Sequence, residues 1–227
     1  MPTLTADEIR VLGVLIEKAL TTPAQYPLSL NAAVVGCSQK NNRSPVGDYT
    51  EDRVYDAIDG LKAKGLAREA MLSGSRVAKF RQVALEGLKV SMTELVVLAE
   101  LMLRGPQTLG EIRGNASRMH PIESLESCQA VLDALAHRPA DTGGVGGVVM
   151  GPLVKELAPP PGSRARLFAQ LLCPNAHPIP TSGVEHGARP GAPHPAPVQS
   201  DLSAALARIA DLEQRLARVE DAIARRG

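Results

Sequence analysis

Two clusters of side chains in this 227-residue sequence have the composition of an anion-binding surface. Lys40 and Arg43 flank Asn41 and Asn42; Arg76, Lys79 and Arg81 form a second cluster, with Arg68 a few residues ahead of it. Cations so placed neutralise phosphates, and the amides between them add hydrogen bonds that orient a nucleic-acid backbone or reach a minor groove. The same residues serve equally well as solvated charges, with the asparagines satisfying turn backbone. Five cations per chain, doubled in a dimer, predict a salt slope as steep as about −9 on duplex DNA.

Other reactive groups form no convergent set. Cys173, His177, His186 and His194 fall at or inside a Pro-rich stretch with spacings that match no tight metal pattern, so no metal is expected. Cys37 and Cys128 occupy apolar helical positions, where a thiol behaves as a small hydrophobe, and neither has a visible His or Lys partner. Gly143-Gly144-Val145-Gly146-Gly147 has the composition of a phosphate loop but precedes a strand rather than joining strand to helix. The expectation is a protein that is not an enzyme and carries no cofactor.

Composition narrows the partners. Lys and Arg number 25 against 24 Asp and Glu, a net charge of +1, which excludes a histone-like or tail-driven nucleic-acid binder. Aromatic residues make up 2%, too few for a base-stacking sheet. The N-terminal residues lack a basic region followed by an apolar one, and the most apolar run, Leu95 to Leu103, is interrupted by Glu100. Three widely spaced cysteines make no disulfide framework. A cytoplasmic setting with no membrane contact is the expectation.

The elements that must position the cationic clusters come from an internal repeat. Thr5-Ala6-Asp7-Glu8 and Ser91-Met92-Thr93-Glu94 are both capping boxes. Ile9, Leu12, Leu15, Ile16 follow one at helical spacing, and Leu95, Leu98, Leu101, Met102 the other. Lys18 and Arg104 sit near the helix C-termini, where the dipole favours a cation, and Pro-containing turns follow. A short amphipathic segment comes next in each copy, then a third helix, carrying Val54, Ala57, Ile58, Leu61 or Cys128, Val131, Leu132, Leu135. Strand–turn–strand patterns close both copies, Leu66 to Leu72 with Val77 to Val83, and Val148 to Leu157 with Ala165 to Leu172. Three helices and a hairpin, twice, predict a mainly α fold with small β-hairpins (α+β): two tandem winged-helix domains over 1–88 and 89–173. Residues 174–200, rich in Pro, Gly, Ala and His, read as a disordered linker. Over 201–227, Leu202, Ala205, Ile209, Leu212, Leu216, Val219 and Ile223 repeat at three and four, with Arg208 and Arg215 at g and Glu213 and Glu220 at e. That pattern predicts self-association through a short coiled coil; an amphipathic helix folded back on the body is the alternative.

The string Thr22-Pro23-Ala24-Gln25-Tyr26-Pro27-Leu28-Ser29-Leu30-Asn31, followed by Cys37-Ser38-Gln39-Lys40-Asn41-Asn42-Arg43-Ser44-Pro45-Val46, resembles the bacterial YceH-like family. Leu103 to Arg113 with Arg118-Met119 resembles that family's second-domain signature, and Gly74 to Phe80 its first wing. The resemblance covers nearly all of residues 3–172. Ser38 departs from the family's usual Asn, and the Pro-rich stretch is longer than usual. The resemblance implies tandem winged helices in a bacterial cytoplasm and no established activity.

Two functions compete. A winged helix ordinarily places its third helix in the major groove, yet here Asp52, Asp56 and Asp59 face outward on one third helix and Glu123, Glu126 and Asp133 on the other. DNA repels such faces. The first expectation is therefore a regulatory factor that contacts double-stranded DNA backbone through Lys40, Asn41, Asn42, Arg43, Arg76, Lys79 and Arg81. The second is a protein–protein adaptor that uses the acidic third helices, with the C-terminal helix supplying avidity.

Overall fold

The computed structural model describes residues 4–70, 77–139, 151–159, 162 and 165–177. In the first module α1 (Ala6–Thr21), β1 (Leu28–Ser29), α2 (Leu30–Cys37), α3 (Glu51–Ala63), β2 (Ala67–Ala70) and β3 (Lys79–Gln82) follow one another. A connecting helix, α4 (Ala84–Leu88), which the apolar periodicity did not foreshadow, leads into the second module. There the same order recurs: α5 (Met92–Arg104), β4 (Gln107–Thr108), α6 (Leu109–Ala116), α7 (Leu125–Ala136), β5 (Val154–Leu157) and β6 (Leu167–Gln170). Each module carries a three-stranded antiparallel sheet, ordered β1-β3-β2 and β4-β6-β5. The molecule is thus a mixed α/β fold of seven helices and two small sheets among the described residues.

Local chemistry accounts for the helix starts. Both expected capping boxes form: the Glu8 amide donates to Thr5 Oγ1 at 3.1 Å while the Thr5 amide donates to Glu8 Oε2 at 2.7 Å, and Ser91 and Glu94 repeat the exchange. A third box, Thr108 with Glu111, opens α6. Each satisfies helix N–H groups that have no intrahelical acceptor.

The modules are not independent cores. α1 and α5 form a shared spine, buried almost all round: Val11 and Val14 are as inaccessible as Leu12 and Leu15, and Val96 and Val97 as Leu98. A one-sided amphipathic stripe would have left them in water. The close approach requires Gly13, since a Cβ there would lie 2.8 Å from Leu103 Cγ. The start of the first module is tied to the end of the second, with the Leu4 amide donating to the Leu172 carbonyl at 2.8 Å.

Packing also corrects the expected start of the linker at 174. Cys173 and His177 are buried, and Gln170 brackets the turn by donating from Nε2 to the Cys173 carbonyl (2.7 Å) and accepting at Oε1 from its amide (2.8 Å). The remainder of the linker, His186, His194 and the glycine-rich 143–147 segment lie outside the described residues, as do the dimerisation positions Leu202, Ile209, Leu212, Leu216, Val219 and Ile223.

Candidate functional site

The Asn-rich loop after α2 is held from beneath by two buried arginines. Arg43 was expected to reach phosphate; instead its side chain is wholly buried. Its Nη1 and Nη2 grip Glu17 Oε1 and Oε2 at 3.2 and 2.6 Å, and its Nε donates to the Gly36 carbonyl at 3.1 Å. Burial opposes ionisation of Glu17, but the hydrogen bonds and charge of Arg43, with Lys18 adding, outweigh it and hold the carboxyl below its ordinary range. Arg43 is therefore a structural cation. Arg10, also buried, donates to the Pro45 carbonyl at 2.6 Å, and Ser38 Oγ accepts from the Tyr49 amide at 3.0 Å.

Beside the buried Arg43 the loop shows Lys40, Asn41 and Asn42 to solvent. Asn42 takes a left-handed backbone (φ 61°), and its Oδ1 accepts from Arg104 Nη2 at 2.6 Å. The Ser44 amide donates to the Leu103 carbonyl at 2.8 Å. The loop is thereby stitched to the second module, not to the first hairpin. β1 leads directly into α2 and pairs with β3, Ser29 opposite Lys79. The hairpin thus lies at the N-terminal end of α2 and the loop at its C-terminal end, about 12 Å of helix apart. The expected single surface of loop and hairpin is not formed by the described residues; Arg76 lies outside them.

Two cationic features take its place. One is the outer face of the first hairpin. Arg68 stands directly opposite Arg81, and Lys79 follows on the same face, while Phe80 points inward. Among the described residues none of these three cations has a hydrogen-bond or ion-pair partner. Like charges directly opposite on a sheet destabilise it, so this face favours an external anion.

The other is a cleft of about 420 Å³ where the modules meet, lined by Glu17, Lys18 and Thr21 of α1, residues 39–42 of the loop, Glu100 and Arg104 of α5, and Asn115, Arg118 and Met119. Gln107, buried behind it, accepts from Asn115 Nδ2 at 2.9 Å; Arg118 Nη2 donates to Asn115 Oδ1 at 2.7 Å. Glu100 pairs with Arg104. Burial raises the Glu100 pKa, and Arg104 and Arg118 offset only part of that rise. Sequence reasoning had marked Lys18 and Arg104 as helix-terminal cations; only the packing of α1 on α5 reveals that both line one cleft.

Cys37 and Cys128 are buried, as their apolar positions implied, Cys173 is buried as well, and burial pushes the Cys37 thiol up to about 12. The Tyr26 hydroxyl accepts from the Gln82 amide at 2.6 Å. No cluster of three or more metal-ligating side chains occurs among the described residues. No helix among them is long and apolar enough to cross a membrane.

A family profile described as "Protein of unknown function, DUF480" matches residues 4–143. A UPF0502 protein of Geobacter sulfurreducens is 48% identical over 165 residues, which cover 73% of this chain and 70% of its own length. The chain belongs to this family. The UPF0502 protein YceH of Salmonella paratyphi C is 37% identical over 219 residues, or 94% of each chain. A UPF0502 protein of Geotalea daltonii is 48% identical over 172 residues, 74% of this chain and 72% of its own. Toward YceH the likeness extends over nearly the whole chain.

Proposed function

We propose that this UPF0502 chain is a non-enzymatic regulatory protein of two winged-helix domains that holds double-stranded DNA backbone on the outer face of its first hairpin. The carrying observation is the unpartnered face of Arg68, Arg81 and Lys79, with two guanidiniums directly opposed across the strands. Phosphates would relieve that repulsion. Helix α3 stays out of the groove, because Glu51, Asp52, Asp56 and Asp59 all lie on its exposed side. Three phosphate contacts per chain correspond to a slope of about −3 in log affinity against log salt. Fluorescence anisotropy with random duplex tests this: Arg68→Gln with Arg81→Gln reduces the slope by about two, whereas no salt dependence in the parent protein sinks the reading.

A second reading rests on α3 itself. Its exposed acidic residues surround Tyr55, which is 51% exposed. That combination suits a basic protein segment, with Tyr55 as the apolar anchor. In the same assay a Lys- and Arg-rich peptide that binds the parent and loses affinity on Asp56→Lys, with duplex left unbound, favours the adaptor.

A further inference from the structure

The cleft between the modules is a site in its own right, independent of the hairpin. Its lining presents four cations, Lys18, Lys40, Arg104 and Arg118, against two carboxylates, Glu17 and Glu100. Glu17 is already neutralised from behind by the buried Arg43, and Glu100 is paired with Arg104. Lys18 lies 3.5 Å from the same Glu17 and donates to Gln39 at 3.4 Å, so the cleft's excess positive charge rests on Lys40 and Arg118. Lys40 has no hydrogen-bond or ion-pair partner among the described residues. Arg118 is held by one bond to Asn115, and Arg104 by a bond to Asn42 together with its Nε pairing with Glu100; each guanidinium keeps further N–H groups for a ligand. Such pre-oriented forks suit phosphate oxygens, which they can meet in pairs.

The remaining lining narrows the ligand. Gln39, Asn41, Asn42 and Asn115 supply amide donors and acceptors, and the two carboxylates supply acceptors for hydroxyl groups. No aromatic side chain lines the cleft, and its main apolar surface is Met119. A nucleobase would find no stacking face there. A volume of about 420 Å³ is too roomy for inorganic phosphate alone and falls within the usual span for small-molecule sites.

We propose that this cleft binds a small phosphorylated polyol, such as a sugar phosphate, its phosphate held by Lys40, Arg104 and Arg118 and its hydroxyls by the asparagines and carboxylates. Because the walls come from α1 and the loop on one side and from α5 and α6 on the other, the ligand bridges the two modules. Its occupancy would stabilise their junction.

Isothermal titration calorimetry on the full chain tests this with four probes: fructose 1,6-bisphosphate, inorganic phosphate, AMP and citrate. The expected result is saturable binding of the sugar bisphosphate, at least tenfold tighter than each of the other three. The Lys40→Gln, Arg118→Gln double variant weakens that binding at least tenfold; both residues are exposed, and thermal melting verifies that the variant is folded. The Arg68→Gln, Arg81→Gln variant leaves it unchanged. Absence of sugar bisphosphate binding at millimolar concentration overturns the proposal. So does tighter binding of AMP or citrate, or a loss of affinity in the hairpin variant equal to that in the cleft variant.

Discussion

Acid should loosen the junction of the two modules through a single residue, His177. Its ring lies against Gly105, where a Cβ would meet Cδ2 at 2.8 Å, and is hydrogen-bonded to backbone at Ser44 and Met102. Burial, and then the nearby Arg10 charge, lower its pKa from 6.5 to about 4, against the partial opposition of those two bonds. The folded pKa is depressed, so the unfolded chain binds the proton first as pH falls. The stability contributed by the neutral imidazole is complete above pH 6.5 and is lost progressively down to about pH 4. Between pH 7.5 and pH 5 the loss is about 2 kcal/mol, from the ratio of the two protonation polynomials. Urea unfolding at both pH values, on the parent and on His177→Gln, isolates it. The raised pKa of Glu100 acts in the opposite direction, lowering stability as pH rises, but both proteins contain Glu100, so it cancels in the difference. The parent should lose about 2 kcal/mol more than the variant. Equal losses would refute the burial argument.

Three further outcomes follow from the packing. Arg43→Met leaves the half-buried Glu17 with Lys18 as its only cation and should cost up to about 3 kcal/mol in chemical denaturation, whereas Lys40→Gln should stay within about 0.5 kcal/mol; similar costs for the two would contradict the inward placement of Arg43. Gly13→Ala forces α1 away from Leu103 and should cost about 1–3 kcal/mol, read as a lowered denaturation midpoint with unchanged slope. With Cys37 held at about 12, an aromatic disulfide reagent at pH 8 should leave that thiol untouched until urea unfolds the chain; prompt labelling of native Cys37 would argue against its burial.

The repeat was legible because its signals are local. A hydroxyl three residues ahead of a glutamate, apolar residues at helical spacing and a turn before a hairpin are decided within one segment, so both caps and both third helices stand where their spacing put them. The acidic exposure of Asp52, Asp56 and Asp59 followed from the same periodicity. Side-chain destination was another matter. Lys40 and Arg43 are three residues apart in one polar loop, and sequence offers no reason to separate them. The structure buries Arg43 because Glu17, a turn before the end of α1, lies directly beneath the loop. His177 was misplaced for a related reason: a Pro-rich composition says that a segment cannot build a core, not that it cannot cover one.

The amino-acid sequence by itself determined the repeat, the capped starts of the first helix in each copy and the charge the third helices carry outward, since all of these depend on neighbours within about one turn or one hairpin. The tertiary structure alone decided which cations remain free and which meet. That outcome depends on the contact of α1 with α5 across Gly13 and Leu103. This contact brings Lys18, Lys40, Arg104 and Arg118 around one cleft and leaves Arg68, Lys79 and Arg81 on a separate face, and no periodicity along the chain encodes a distance between two helices some eighty residues apart.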